Sequence, residues 1–441
     1  MSRDKVFDFA YISEKLGIGA VSSEWKSNWE LSMEVYSNEG MYFLESDYIN
    51  EANKILSLEE EALKVLQNTA AAIAGEPCLC ALAWHCRCLL LAAQEKNELL
   101  STYFPAFTGY HSEINDLFYA IVLIASLEQV VRLHERRGIP RQVTNDTLGD
   151  LGLWMRHFYQ ENGRWGLGEH EWLVRHFTGR LYRLGRLQFA YGTLEDDIHV
   201  FRNINHAKVI ALCGPEVNYR GDGLIDGTNT IYASENVWVS RYDTNREQIL
   251  GNPISPYGRA LRTILKLEKE EWMPALTKGC DVLEVHIPEG ESISSDLCGG
   301  SFEMAMELLP KCFPERTFKA FTCNTWLLDI NLQELLPSYS NIIRFQREFY
   351  IYPVLGSDKQ TFERVFGKKP DDLNTAPRDT SMRRAVLDYY AEGGCLSNMA
   401  GFILREDLSW GSEDYQKSWE ELKRDISLPI EEGESEIINT L

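Results

Sequence analysis

The chain has 441 residues, which sets an expectation of two or three domains, and its 44% hydrophobic and 25% charged residues are an ordinary globular composition. A formal net charge of -22 creates a field that repels phosphate backbones and anionic lipid, so neither nucleic acid nor a membrane surface is an expected partner.

In chain order, residues 1–10 carry Asp4 and Asp8 and lack the long apolar core of a secretory signal, so the expected compartment is the cytoplasm. Residues 57–74 give the clearest helix. Ser57 and Glu60 have the spacing of a capping box, and Leu58, Ala62, Val65, Leu66, Ala70 and Ile73 recur at intervals of three and four. Gly75 is placed to end it. Residues 77–94 read as the next helix and hold Cys78, Cys80, His85, Cys86 and Cys88, which on paper could ligate a metal. At about 100° per residue, Cys78 and Cys80 diverge, and so do Cys86 and Cys88. Cys78 and His85 share a face but stand about 10 Å apart along the axis. Such a set does not converge on a tetrahedral ion, so buried thiols and no metal are expected. Further helices are expected at 112–137, closed by Gly138-Ile139-Pro140, and at 148–160. The apolar run 117–127 is too short to cross a bilayer and reads as buried helix.

After residue 165 the pattern changes. Residues 171–184 read as helix, 187–191, 208–213 and 230–238 as strands, and 255–276 as helix, with Gly-rich acidic loop around Gly221-Asp222-Gly223 and Asp226-Gly227. From 281 the order is clearer. Strand 281–287 precedes helix 295–309, which Pro310 and Pro314 close; then come strand 318–323, short helix 330–336, strand 348–354, helix 378–392 and a last strand 401–404. The expected fold class is α+β or α/β: a helical N-terminal part followed by a mixed sheet flanked by helices. The expected divisions are 1–147, 148–280 and 281–441.

Several stretches together resemble a family of bacterial acyltransferase-domain proteins with a GNAT-like C-terminal domain. They are Trp172-Leu173-Val174-Arg175-His176-Phe177, Leu184-Gly185-Arg186-Leu187-Gln188-Phe189, Val285-His286-Ile287-Pro288, Thr325-Trp326-Leu327-Leu328, Ser340-Asn341-Ile342-Ile343-Arg344-Phe345-Gln346 and Asp379-Thr380-Ser381-Met382-Arg383-Arg384-Ala385. The resemblance implies a GNAT-like fold and the use of acetyl-CoA or another acyl-CoA. In such folds two parallel strands splay and the acyl-CoA enters between them; here these would be 281–287 and 318–323. The following helix, which begins near Ser294 and Ser295, would receive the pyrophosphate on its free N–H groups and positive dipole end. The loop before it carries Glu289, Glu291 and Asp296 and so departs from the usual basic, glycine-spaced pattern.

Acyl transfer to an amine needs a base for the ammonium and is helped by an acid for the thiolate. Strand alternation puts Val282, Glu284 and His286 on one face, so Glu284 and His286 are the catalytic candidates. The other reading of His286 is a strand-end hydrogen bonder before Pro288. Cys323 reads either as a nucleophile or as a buried thiol. Tyr339 and Tyr350 are candidate acids, and Arg344 is a candidate phosphate partner beside Arg347. Two functions stay open: an acyl-CoA-dependent N- or O-acyltransferase with a small-molecule or peptide amine acceptor, and a non-catalytic GNAT-like binding or scaffold protein. A helical interaction domain over 1–147 is a third.

Overall fold

The computed structural model describes residues 8–96, 104–110 and 112–425, and the chain divides into two compact units, 1–184 with 307–313 and 185–306 with 314–441. The first is helical: α1 (Phe9–Leu16), α2 (Ser23–Glu34), α3 (Ser46–Leu56), α4 (Glu60–Ala74), α5 (Pro77–Lys96), α6 (Ser112–Ile124), α7 (Leu127–Arg137), α8 (Arg141–Leu148), α9 (Asp150–Asn162) and α10 (His170–Phe177), followed by β1 (Leu181–Leu184). The helical unit runs past the boundary expected at 147. Leu151, Trp154, Met155, Leu173, Val174 and Phe177 are buried in the same hydrophobic cluster as Leu66, Leu82 and Ile121. A shared core, not a change of sequence texture, sets the extent of a unit.

Three local expectations are corrected. Ser57 does not cap α4. It closes α3 in the left-handed region (φ 53°), and the Asn53 side chain accepts from the Leu58 N–H at 2.6 Å. Residues 112–137 are two helices, parted at Ser126, whose hydroxyl donates to the Leu123 carbonyl at 2.8 Å. Residues 171–184 are helix only to Phe177; Gly179 turns the chain at φ 68° and β1 follows. There Asp150, 1% exposed, accepts from His176 at 3.2 Å and Arg183 at 3.0 Å, tying α9, α10 and β1 together.

In α5, Cys78, Cys80 and Cys86 are buried, and burial pushes the Cys80 thiol up to about 11. By length and composition 77–94 could cross a membrane, and so could 113–137 but for its break at Ser126; 72% and 67% of their most apolar 18-residue stretches is buried inside the protein, the pattern of core helices. The His85 ring meets Trp25 edge-on at 4.3 Å and Trp29 at a tilt at 4.9 Å, and its Nδ1 bonds Ser32 at 2.8 Å; His134 bonds Thr144 at 3.0 Å. Burial pushes both imidazoles down to about 4. A base whose folded pKa lies below its unfolded value supports the fold above the unfolded value and loses that support as pH falls toward the folded one. Urea melts should therefore lose stability from pH 6.5 down to 4, by on the order of 3 kcal/mol per histidine across that window. A flat stability between pH 7 and 5 would contradict neutral burial of His85 and His134.

The second unit contains β2 (Leu187–Thr193), β3 (Ile198–Asn203), β4 (Val209–Cys213), β5 (Asn218–Tyr219), β6 (Trp238–Val239), β7 (Tyr242–Thr244), β8 (Gln248–Gly251), β9 (Pro253–Ser255), β10 (Arg259–Ala260), β11 (Leu265–Glu268), β12 (Trp272–Thr277), β13 (Asp281–His286), α11 (Ser295–Cys312, of which residues 307–312 count with the first unit), β14 (Ala320–Thr325), α12 (Leu332–Leu335), α13 (Asn341–Arg347), β15 (Tyr350–Tyr352), α14 (Lys359–Phe366), α15 (Ser381–Ala391), β16 (Met399–Leu404) and α16 (Asp414–Asp425). Its central sheet has the order β2-β13-β14-β16-β15, and only the β13–β14 pairing among these is parallel. Phe302 of α11 packs against Phe189 and Phe321 on one face. On the other lies a five-stranded sheet, β10-β9-β4-β3-β12, tied on by the Tyr350 hydroxyl, which donates to the Ile254 carbonyl and accepts from the Ala211 N–H.

The expected fold class stands, a helical part followed by a mixed sheet flanked by helices. Residues 255–276 are corrected from helix to strands. Leu265 and Leu267 are buried while Lys266 and Glu268 are exposed, a period of two. In 230–238 only Trp238 enters a strand; the chain before it makes a 3-10 turn over Thr228–Thr230. Pro310 does not close α11. It sits in the last turn, where a single backbone bond is forfeited, and the helix runs on to Cys312.

Candidate active site

The parallel ladder between β13 and β14 is short. It pairs Val282 with Ala320, Leu283 with Phe321 and Glu284 with Thr322, and goes no further. On their outer edges both strands remain paired. β13 continues on β2 to His286 opposite Gln188, and β14 continues on β16 to Thr325 opposite Met399. Two strands held by their outer neighbours but no longer bonded to each other are free to part here. The gap lies between Val285–His286 on one side and Cys323–Thr325 on the other, and its lining backbone N–H and C=O groups are not used in a β13–β14 ladder.

Glu284 and His286 stand at this opening on one face of β13. His286 Nε2 lies 3.2 Å from Glu284 Oε2, and both side chains are about a third exposed, at 29% and 31%. A Cβ on Gly192 would meet Glu284 Oε1 at 2.4 Å, so the bare backbone of β2 makes room for the carboxylate. The opposite face carries Leu283 and Val285 into the aromatic core around Phe302. The site is therefore a polar pair, open to water, on a strand whose other side is fixed by packing. Such support holds a catalytic geometry better than a loop would.

The other sequence candidates do not converge here. Cys323 is 3% exposed, and burial, with Cys298 beside it, pushes its thiol up to about 12, so almost no thiolate exists near neutral pH. Cys323→Ala should leave turnover unchanged and cost about 1 kcal/mol of stability. Rapid carbamidomethylation of Cys323 in the folded chain, or loss of activity in the variant, would restore it as a nucleophile. Tyr339 is 72% exposed in the turn before α13. Tyr350 is fully buried, and its hydroxyl is spent on Ile254 and Ala211. Arg344 is exposed on α13. Ser294 supplies the carbonyl that accepts from the Cys298 N–H at 3.0 Å, the first bond of α11. Ser295 Oγ accepts from Trp410 Nε1 at 3.1 Å. A Cβ on Gly299 would meet the Trp410 ring at 2.8 Å, so this glycine admits the indole against the first turn of the helix.

One residue of the site was not singled out for it in the sequence. Arg186 is buried, and its Nε donates to the Glu291 carbonyl at 2.6 Å while its Nη1 donates to the Pro288 carbonyl at 2.8 Å. Its own N–H donates to Ser301 Oγ of α11 at 2.9 Å. The guanidinium thus lies beneath the loop that carries Glu289 and Glu291, which are exposed, as is Asp296 in the first turn of α11. The only local hint was a basic residue following Gly185, whose φ of 66° marks a turn.

Residues 181–403 match a family described as the GNAT-like C-terminal domain, and residues 47–179 match the N-acyltransferase N-terminal domain. No curated protein matches the chain at a significant level. Among solved structures the chain is similar to an acyltransferase mutant in complex with octanoyl-CoA, with TM-score 0.62 and 18% identity, covering 90% of this chain and 98% of that one. It is also similar to an acyltransferase in complex with decanoyl-CoA and teicoplanin, with TM-score 0.61 and 19% identity, over the same shares. At these identities the likeness is one of fold.

Proposed function

We propose that this chain, which belongs to the family of the GNAT-like C-terminal domain, is an acyl-CoA-dependent acyltransferase acting on an amine or hydroxyl of a small-molecule or peptide acceptor. The observation that carries this is the end of the parallel β13–β14 ladder at Glu284 and Thr322, while both strands run on, with the Glu284–His286 pair beside it. Support for the donor comes from the shared fold with acyltransferases crystallised with octanoyl-CoA and decanoyl-CoA. Support for the acceptor class comes from the neighbour that also holds teicoplanin. The bacterial, cytoplasmic setting expected from the sequence belongs to the same proposal.

Acyl-CoA supplies an activated acyl thioester. The unladdered edges of Val285–His286 and Cys323–Thr325 offer N–H and C=O groups to an extended amide-bearing arm, in the way that a strand would. The free N–H groups of the first turn of α11 suit its phosphates. With His286 Nε2 donating to Glu284, Nδ1 carries the lone pair that takes the proton from the acceptor's ammonium or hydroxyl. Glu284 holds that tautomer and offsets the charge of the imidazolium while the acceptor attacks. The proton then leaves through His286 to water or to the departing thiolate.

The second reading, a binding or scaffold module without catalysis, is favoured by one observation. Glu289, Glu291 and Asp296 are exposed around the start of α11 and oppose an anion there. Thermal melts decide between the two. A ligand present at 100 times its Kd stabilises the folded chain by about 2.7 kcal/mol. A shift with octanoyl-CoA, followed by transfer to a panel of amines, is the expected result. No shift with CoA, octanoyl-CoA or decanoyl-CoA leaves the scaffold reading standing.

A further inference from the structure

We infer that Arg186 is a positioning residue: from beneath the β13–α11 loop it folds the loop into an anion-receiving form and supplies the positive charge that the loop lacks. The inference rests on the acyl-CoA reading above.

The loop is acidic on its outside, with Glu289 and Glu291 exposed, and Asp296 is exposed in the first turn of α11. Left to itself, such a segment would repel a pyrophosphate. Arg186 changes this in two ways. Its guanidinium captures the carbonyls of Pro288 and Glu291, three residues apart, and so closes the loop around itself. Across a trans peptide the C=O and the next N–H point in opposite directions, and the chain has no cis peptide among the described residues. Carbonyls drawn in at Pro288 and Glu291 therefore turn the N–H groups of Glu289 and Ser292 outward. Gly290, at φ 131°, permits the tight path between them. These two outward N–H groups are donors for an anion, and they adjoin the N–H groups at the N-terminus of α11.

The second effect is charge. Arg186 is 7% exposed, so water screens its charge less than that of the exposed carboxylates. Its N–H bond to Ser301 on α11 fixes the arginine relative to the helix that the loop feeds. Lysine retains the charge but cannot span two carbonyls with a planar fork.

The test compares CoA with octanoyl-pantetheine, which lacks the pyrophosphate, in the full chain. Arg186→Gln is expected to raise the Kd for CoA about tenfold or more, with Arg186→Lys between it and wild type, as for a lost charge-assisted contact. Affinity for octanoyl-pantetheine should stay unchanged in both. A loss shared equally by the two ligands, or an unchanged Kd for CoA in Arg186→Lys, overturns the inference. Should Arg186→Gln fail to fold, amide exchange in the wild-type chain carries the test. CoA should slow exchange over residues 289–293 and octanoyl-pantetheine should not; no change in that segment with CoA bound also overturns it. These failures are distinct from failure of the parent reading, in which the wild-type chain does not bind CoA at all.

Discussion

His286→Ala should lower turnover by about 10²–10⁴-fold, the contribution of a positioned general base, with the fold intact. The side chain is 29% exposed and its contact with Glu284 is at the surface of the sheet, so its removal opens no core cavity. Glu284→Gln keeps the shape but removes the charge that orients the imidazole; its loss should be smaller, with the pH–rate profile displaced because the partner of the base has changed. Measurement of kcat and kcat/KM together, with circular dichroism as control, checks both. The competing account makes His286 a strand-end hydrogen bonder. On that account turnover survives and the substitution costs about 1–3 kcal/mol of stability instead.

Phe302→Ala should destabilise the second unit by about 3–5 kcal/mol, the usual cost of emptying an aromatic site in a close-packed core. Phe302 is fully buried on α11 and meets the rings of Phe189, Phe321, Phe349 and Trp410 at centroid distances of 5.7, 4.9, 6.4 and 4.7 Å. It joins the helix to β2 and β14, the strands on either side of β13, and so supports the site from behind. Denaturant melts give the number directly. A loss below 1 kcal/mol would mean that the aromatic cluster is not a close-packed support for the site.

The sequence revealed β13 and β14 because each is a short β-rich run between clear breaks, and it placed Glu284 and His286 on one face through strand alternation alone. It could not reveal where their ladder ends. That depends on β2 and β16, which hold the outer edges by pairing across long sequence separations, as His286 with Gln188 and Cys323 with Gly401 do. Local spacing carries no record of such partners. Arg186 was hidden for the same reason: its bonds to Pro288 and Glu291 span about a hundred residues. Ser57 failed differently. Its capping-box spacing was sound, but the preceding helix α3 claimed the residue as its own left-handed terminus. Residues 255–276 carry a helical pattern after Pro256; the strict alternation at Leu265 and Leu267 is the better signal, and it covers only four residues.

The claim at the centre of the account is that an acyl-CoA enters between β13 and β14. A crystal structure of the full chain with octanoyl-CoA tests it most directly. The expected result has the pantetheine arm bonded to the backbone of Val285–His286 and Cys323–Thr325, the pyrophosphate at the first turn of α11, and the thioester within reach of His286. A ligand bound away from this gap, or none bound at saturating concentration, would contradict the account.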